Sequence, residues 1–401
     1  MAVFLCIEGG LRVRSWLILL TFLIYVLVVV VAPQRLAAWN WSLIFAVEFF
    51  CTEHLLHFYW WFELALLPML FILLHGGYQP ERIAAMLRLA AYTILRSLPL
   101  LFRVIGFGQD TSFIMLIHSG TPLRCPWILL PFLVKLPVYG VHKWLAKAHL
   151  QAPEDGSIFL AAIILKIGGY GIWKLAPWID GLTFKVGVQA AGLWGSIIAI
   201  GLCLMQDDLK LVIAYSRVGH IGLVAACLLE NNHIGVISAL LVIVGHGLSR
   251  SLLFTLRADI FRVYSSRRLA AISGRSVVVR SLAFWWGLAL VLNLSFPPRI
   301  NFFGELTGFL SLITLWPTVA IIFFLLVVLG GLFNIIAFTS TWKWKRGLRV
   351  LIRDFSSRGQ LKVVLHLIPY LRLPLLLVWD LSLKIKWGLV EHQIRIGDLF
   401  A

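Results

Sequence analysis

Long apolar runs separated by short polar punctuation make up most of this chain. The runs are Ser15–Ala32, Ala37–Thr52, His54–His75, Glu81–Phe107, Trp127–Tyr139, Ser157–Leu175, Phe184–Met205, Leu209–Leu229, Ile234–Phe261, Ser281–Phe296, a stretch from Asn301, Pro317–Ser340 and Leu361–Leu383. They are apolar on all sides and lack the alternation of a barrel strand, so each predicts a helix surrounded by lipid or by other helices. At about 20 residues per crossing plus short loops, the length allows roughly a dozen spans. The predicted fold class is all-α, a polytopic membrane helix bundle.

Breaks in the pattern matter as much as the runs. Pro137 is expected to break the helix that carries Lys135. Pro297-Pro298 breaks another, and Glu305 lies in the first turn of the helical segment that begins at Asn301. Gly245-His246-Gly247 predicts an interruption in Ile234–Phe261, and Asp207 is the expected N-cap of Leu209–Leu229. Arg262–Arg280 reads as a basic surface linker and Lys343–Arg353 as an interfacial amphipathic segment. Two interrupted helices, one in each half, point to a transporter built from inverted repeats. The expected units are 1–52, two N-terminal helices; 53–180 and 181–316, two half-channel repeats; and 317–401, C-terminal helices with the basic segment.

Composition sharpens this picture. Of 401 residues, 60% are hydrophobic and 13% charged, against about 25% charged in soluble domains. The net charge of +17 fits basic loops meeting anionic lipid, with no role for nucleic acid. Arg12 and Arg14 precede the first run and no small-residue cleavage site comes after it, so a first helix is expected rather than a signal peptide. Cys6, Cys51, Cys125, Cys203 and Cys227 are scattered and form no metal or disulfide framework.

Six ionisable residues fall among apolar neighbours: Glu63, Lys135, Lys166, His220, His246 and Glu305. A lysine at mid-membrane costs about 2.5–3.5 kcal/mol on insertion scales. One reading is a buried proton path, in which a carboxylate moving towards or away from a lysine captures or releases a proton. The other is that each group snorkels to a headgroup or closes a structural ion pair. Glu63 is the natural partner of Lys135. His142 and His149 share a face if helical, with no third soft ligand nearby. Gly168-Gly169-Tyr170-Gly171 lies inside an apolar helix, where glycines mean close packing rather than a nucleotide loop.

In order along the chain, Trp61-Phe62-Glu63, Gln79-Pro80-Glu81-Arg82, Ser97-Leu98-Pro99-Leu100-Leu101, Val134-Lys135-Leu136-Pro137-Val138-Tyr139-Gly140-Val141-His142, Lys147-Ala148-His149, Leu165-Lys166-Ile167-Gly168-Gly169-Tyr170-Gly171, Asp208-Leu209-Lys210, Ile213-Ala214-Tyr215-Ser216, His246-Gly247-Leu248 and Gly304-Glu305-Leu306 resemble the antiporter-like membrane subunits of mitochondrial NADH–ubiquinone oxidoreductase (respiratory complex I), the chain 4 family. The resemblance covers about Glu48 to Ser340. It implies a proton-pumping module of the mitochondrial inner membrane with no redox cofactor of its own. FMN, iron–sulfur clusters and ubiquinone are expected in partner subunits, other membrane-arm subunits as neighbours, and cardiolipin as the contacting lipid. By position, Glu63 becomes the carboxylate of the first repeat and Lys135 its partner. Lys166, His220 and His246 become a horizontal polar axis, and Glu305 the exit-side group.

The sequence also departs from that pattern. Two helices precede the Glu63 segment where the family usually has four. Ala146 and Gln151 replace a usual Pro and Glu. Arg96, Arg217 and Arg250 stand where the family tends to have Gly or Ser; either they pair with carboxylates or lipid phosphates, or their codons are decoded as small residues. A multisubunit cation/proton antiporter and a non-pumping scaffold are the competing functional readings.

Overall fold

The structure is a computed structural model that describes residues 2–76, 80–107, 111–113, 126–179, 182–272, 280–294, 297, 299–313, 317–342, 356–357 and 359–372. The helices are α1 (Ala2–Val31), α2 (Leu36–Cys51), α3 (Leu55–Leu64), α4 (Leu67–Gly76), α5 (Arg82–Phe107), α6 (Leu130–Lys135), α7 (Lys143–Gln151), α8 (Glu154–Phe159), α9 (Leu165–Leu175), α10 (Leu182–Leu204), α11 (Leu209–Glu230), α12 (His233–Tyr264), α13 (Leu269–Ile272), α14 (Arg280–Asn293), α15 (Ile300–Ile313), α16 (Val319–Trp342) and α17, 359–372. Among the described residues, eight helical stretches are long and apolar enough to cross a membrane, and two shorter apolar helices, Ser281–Asn293 and Ile300–Ile313, accompany them.

Burial sorts these helices. The stretches Glu154–Trp178, Leu209–Glu230 and His233–Tyr264 are mostly enclosed, whereas Val13–Val31, Arg82–Gly106 and Val319–Thr341 show much of their length to the surroundings. The exposed side chains of the outer helices, such as Phe22, Leu95, Phe102, Ile321 and Phe324, are large and apolar. In lipid that exposure carries no penalty, because acyl chains are as apolar as leucine. Lys135, Lys166, Lys210, Arg217, Arg250 and Glu305, by contrast, are enclosed by protein.

Four details differ from expectation. The helix through Gly245-His246-Gly247 is continuous, because α15 packs against α12 at Gly245 and fills the space a kink would open. The His54–His75 run is two helices, with a turn at Ala65-Leu66. Pro68, whose ring clashes with the carbonyl four residues back, ends the ladder there. The N-cap of α11 is Asp208, whose side chain accepts from the Lys210 amide, rather than Asp207. The basic linker expected over Arg262–Arg280 begins as helix, since α12 runs on to Tyr264. Lys343–Arg353, and Leu361–Leu383 beyond residue 372, lie outside the described residues.

The breaks at Pro137 and after Asn293 are present. α6 stops at Lys135, and Leu136 leaves helical geometry. α14 stops at Asn293 and α15 starts at Ile300. Asn231, in the left-handed region, ends α11, and the neighbouring Asn232 side chain caps α12, so two adjacent asparagines make the turn between two enclosed helices.

Candidate proton path

The stretch from Glu154 to Leu175 is not one regular helix. Between α8 and α9 lies a π turn, Leu160–Ile164, in which each hydrogen bond spans one residue more than in an α-helix. This wider turn leaves the Ala161 carbonyl available to side chains. It accepts from Lys166 Nζ at 3.1 Å and from Arg217 Nη2 at 2.8 Å. Lys166 is 4% exposed. Its ammonium is held inside the bundle by a backbone oxygen, not by a headgroup, and snorkelling is excluded for it.

Glycines set how closely α9 can approach the end of α6. A Cβ at Gly168 would come within 2.6 Å of the Leu136 nitrogen and 2.9 Å of the Phe132 carbonyl oxygen, and one at Gly171 would overlap the Phe132 ring. The two glycines lie on one helix face and receive the last turn of α6. Gly168→Ala is expected to force α6 and α9 apart, costing about 1–3 kcal/mol as an overpacked core. Thermal-shift measurement on the assembled complex checks this, with an unchanged melting temperature as the contrary result.

Lys135, at the tip of α6, is 1% exposed. It donates to the Phe62 carbonyl oxygen and sits 3.2 Å from the centre of the Phe62 ring. Glu63 is the next residue after Phe62, so its carboxylate acts on Lys135 through space. No ion pair joins the two among the described residues, and one Glu63 carboxylate oxygen is buried without a hydrogen bond. The expected partners are thus neighbours across the α3–α6 contact, separated by a backbone carbonyl. Glu63 also lies in the last turn of α3, just before the Ala65-Leu66 turn.

The second half holds a tighter group. α12 and α15 pack through small residues. Gly304 faces Val242, Gly308 faces Ser238, and Ser238 Oγ donates to the Gly304 carbonyl at 2.6 Å. That packing puts Glu305, on α15, against the His246 segment. Glu305 lies 2.8 Å from His220 Nδ1, and the His220 and His246 rings are 4.5 Å apart. His246 is buried, with neither ring nitrogen hydrogen-bonded. Asn301, one turn before Glu305 and fully buried, is in the same condition at both amide atoms. A cavity of about 20 Å³ is lined by Lys166, Arg217, His220 and His246 together with aliphatic side chains. It holds roughly one water molecule.

Lys166, His246, His220 and Glu305 therefore meet in one enclosed region, while Lys135 and Glu63 form a second group nearer α3. Ligand atoms of His220, His246 and Glu305 lie within 4.8 Å of one another, close enough to hold a metal ion. The Lys166 ammonium facing the same cavity opposes a cation there. A second cavity, about 420 Å³ and lined by Leu130, Val134, Tyr139, Phe184 and Val188, adjoins the break after α6. Its walls are mostly apolar, with Tyr139 and Thr183 the hydroxyl-bearing residues among those lining it. His142 stacks on Tyr139 and His149 on Phe254, so these two histidines do not converge on a metal.

Sequence reasoning missed the π turn, for which the residues give no warning. It missed the Ala65-Leu66 turn, which Pro68 signals. It also missed Asn301 as a buried polar neighbour of Glu305. Of the irregularly placed arginines, Arg96 lies beside the Tyr92 ring on α5, and Arg217 and Arg250 are buried in the core.

The broken helices, the packed glycines and the enclosed charges define an antiporter-like membrane subunit. Residues 52–333 match the family described as NADH:quinone oxidoreductase/Mrp antiporter, transmembrane, and the chain belongs to that family. Within it, the chain is 34% identical over 355 residues to NADH-ubiquinone oxidoreductase chain 4 of Tetraodon nigroviridis, covering 84% of this chain and 77% of the relative. Among solved structures it resembles a chain of respiratory complex I from Thermus thermophilus with bound NADH (TM-score 0.78, 21% identity, 90% of this chain and 80% of that one). It also resembles a chain of the Mrp complex from Dietzia sp. DQ12-45-1b (TM-score 0.70, 18% identity, 82% and 65%). At those identities the two structures speak for the fold.

Proposed function

We propose that this chain is a proton-translocating subunit of the membrane arm of a NADH:quinone oxidoreductase, and that Glu63, Lys135, Lys166, His220, His246 and Glu305 pass the proton. The observation that carries the proposal is that Lys166, His220 and His246 line one water-sized cavity while His220 meets Glu305 at 2.8 Å. The chemistry uses only these side chains. Lys135 holds a proton while the Glu63 carboxylate is close and surrenders it when that carboxylate moves away. Lys166 accepts it, the imidazoles of His246 and His220 carry it on one nitrogen at a time, and Glu305 receives it for release. No nucleotide loop or cluster of cysteine ligands appears in the sequence, so oxidation energy must arrive from partner subunits carrying FMN, iron–sulfur clusters and ubiquinone.

The half-channels correspond to 53–180 and 181–316. The mitochondrial inner membrane is the proposed location, with cardiolipin at the basic loops and no nucleic-acid partner. The competing reading, a subunit of a cation/proton antiporter, shares the fold. Purification of the native complex through this chain separates them. Copurifying flavin and iron, with NADH-driven proton uptake in proteoliposomes, is the expected result. A colourless complex that exchanges cations for protons without NADH is the opposing one. An unaltered proton-to-electron ratio after Glu63→Gln and Lys135→Met would instead leave the chain a scaffold.

A further inference from the structure

Arg35 and Arg262, among the described residues, close tight ion pairs with carboxylates. Arg35 Nη1 contacts both Asp155 oxygens at 2.7 and 2.6 Å, and Arg262 joins Asp259 at 2.7 Å and Glu154 at 2.5 Å. Arg217 and Arg250, buried inside the bundle, have no such partner among the described residues. They are 3% and 0% exposed, on two of the three most enclosed membrane stretches. Among the described residues, neither has a carboxylate within ion-pair distance. Arg217 is left with the Ala161 carbonyl and a 3.4 Å approach to the His149 ring. Arg250 has Ser216 Oγ and a long contact to the Ile213 carbonyl, and its Nε and Nη2 are buried with no acceptor.

A guanidinium cannot shed its proton to escape such a site. With Lys166 bonded to the same Ala161 carbonyl as Arg217, two cations share one backbone oxygen. Ser216 precedes one position, and Ser249 and Ser251 flank the other. We infer that positions 217 and 250 of the working protein carry small side chains, serine or glycine in size, and that water fills the space between Lys166, His149 and His246. Organellar genetic codes that assign such residues to triplets read elsewhere as arginine supply the route. Removing both guanidinium groups frees the Ala161 carbonyl for Lys166 alone and extends the existing one-water cavity, which Arg217 now walls. His149, whose Nε2 approaches the Arg217 guanidinium at 3.4 Å, would then face that water.

The residue identities stand on burial and hydrogen bonding alone; the water rests on the proton-path reading. Mass spectrometry of chymotryptic peptides from the native complex tests the first part. The expected spectra carry a small residue at 217 and at 250, with no trypsin cleavage after either; arginine at either position overturns the inference. A high-resolution map of the same complex tests the second. Ordered waters linking Lys166 to His246 are expected, and a dry gap closed by apolar side chains overturns that part even where the peptide masses agree. Neither readout depends on the complex pumping protons.

Discussion

Lys135→Met is expected to lower NADH-driven proton pumping by roughly 10²-fold, the scale of losing one positioned acid–base group, while the assembled complex is retained. Methionine keeps an unbranched stem in the same slot and is well tolerated in cores. The Phe62 carbonyl, buried at the end of α3, loses its donor at a cost of about 1–3 kcal/mol. What disappears is the charge at the tip of α6, which responds to a movement of Glu63. Proton uptake by proteoliposomes, measured against quinone reduction in the same sample, reads the effect. Normal pumping by Lys135→Met would remove the first half-channel from the mechanism.

Arg35→Ala carries the largest expected loss of stability. Arg35 is partly exposed, but Asp155 is 3% exposed and sits in the first turn of α8, immediately before the π turn. Removing the guanidinium strands a buried carboxylate, and breaking such a pair from one side costs about 3–5 kcal/mol. α8 would have to shift to hydrate Asp155, and the π turn that presents the Ala161 carbonyl to Lys166 would shift with it. Native electrophoresis should show little assembled complex for Arg35→Ala. Recovery is expected in Arg35→Ala with Asp155→Asn, which removes the stranded charge. If the single variant assembles normally, the pair is ornamental.

Much of this was legible in the residues. Apolar runs located the helices, because in a membrane the backbone must satisfy itself and only helices do so locally. Pro137 and Pro297 placed two breaks, since proline lacks the amide a helix needs. Lys135, Lys166 and Glu305 stood out because a charge in an apolar run is costly enough to require a reason. The rest depends on contacts between distant segments. That Gly245 meets a neighbouring helix rather than a bend is decided by α15, some 55 residues away in sequence. The π turn comes from how Leu160–Ile164 packs, not from any residue that prefers it. The 2.8 Å approach of Glu305 to His220, and the backbone carbonyl standing between Glu63 and Lys135, are tertiary facts that no spacing encodes.

The first helix has a further consequence. α1 lies along the π turn, α8 and α12. Leu20 presses on Gly247, which also lies beside the Lys166 stem. That helix is the insulation between the polar interior and the surrounding lipid. A notch in it, such as Leu20→Ser, would leave every titrating side chain intact and still let the gradient leak, so that electron flow would continue at full speed while the membrane failed to stay charged.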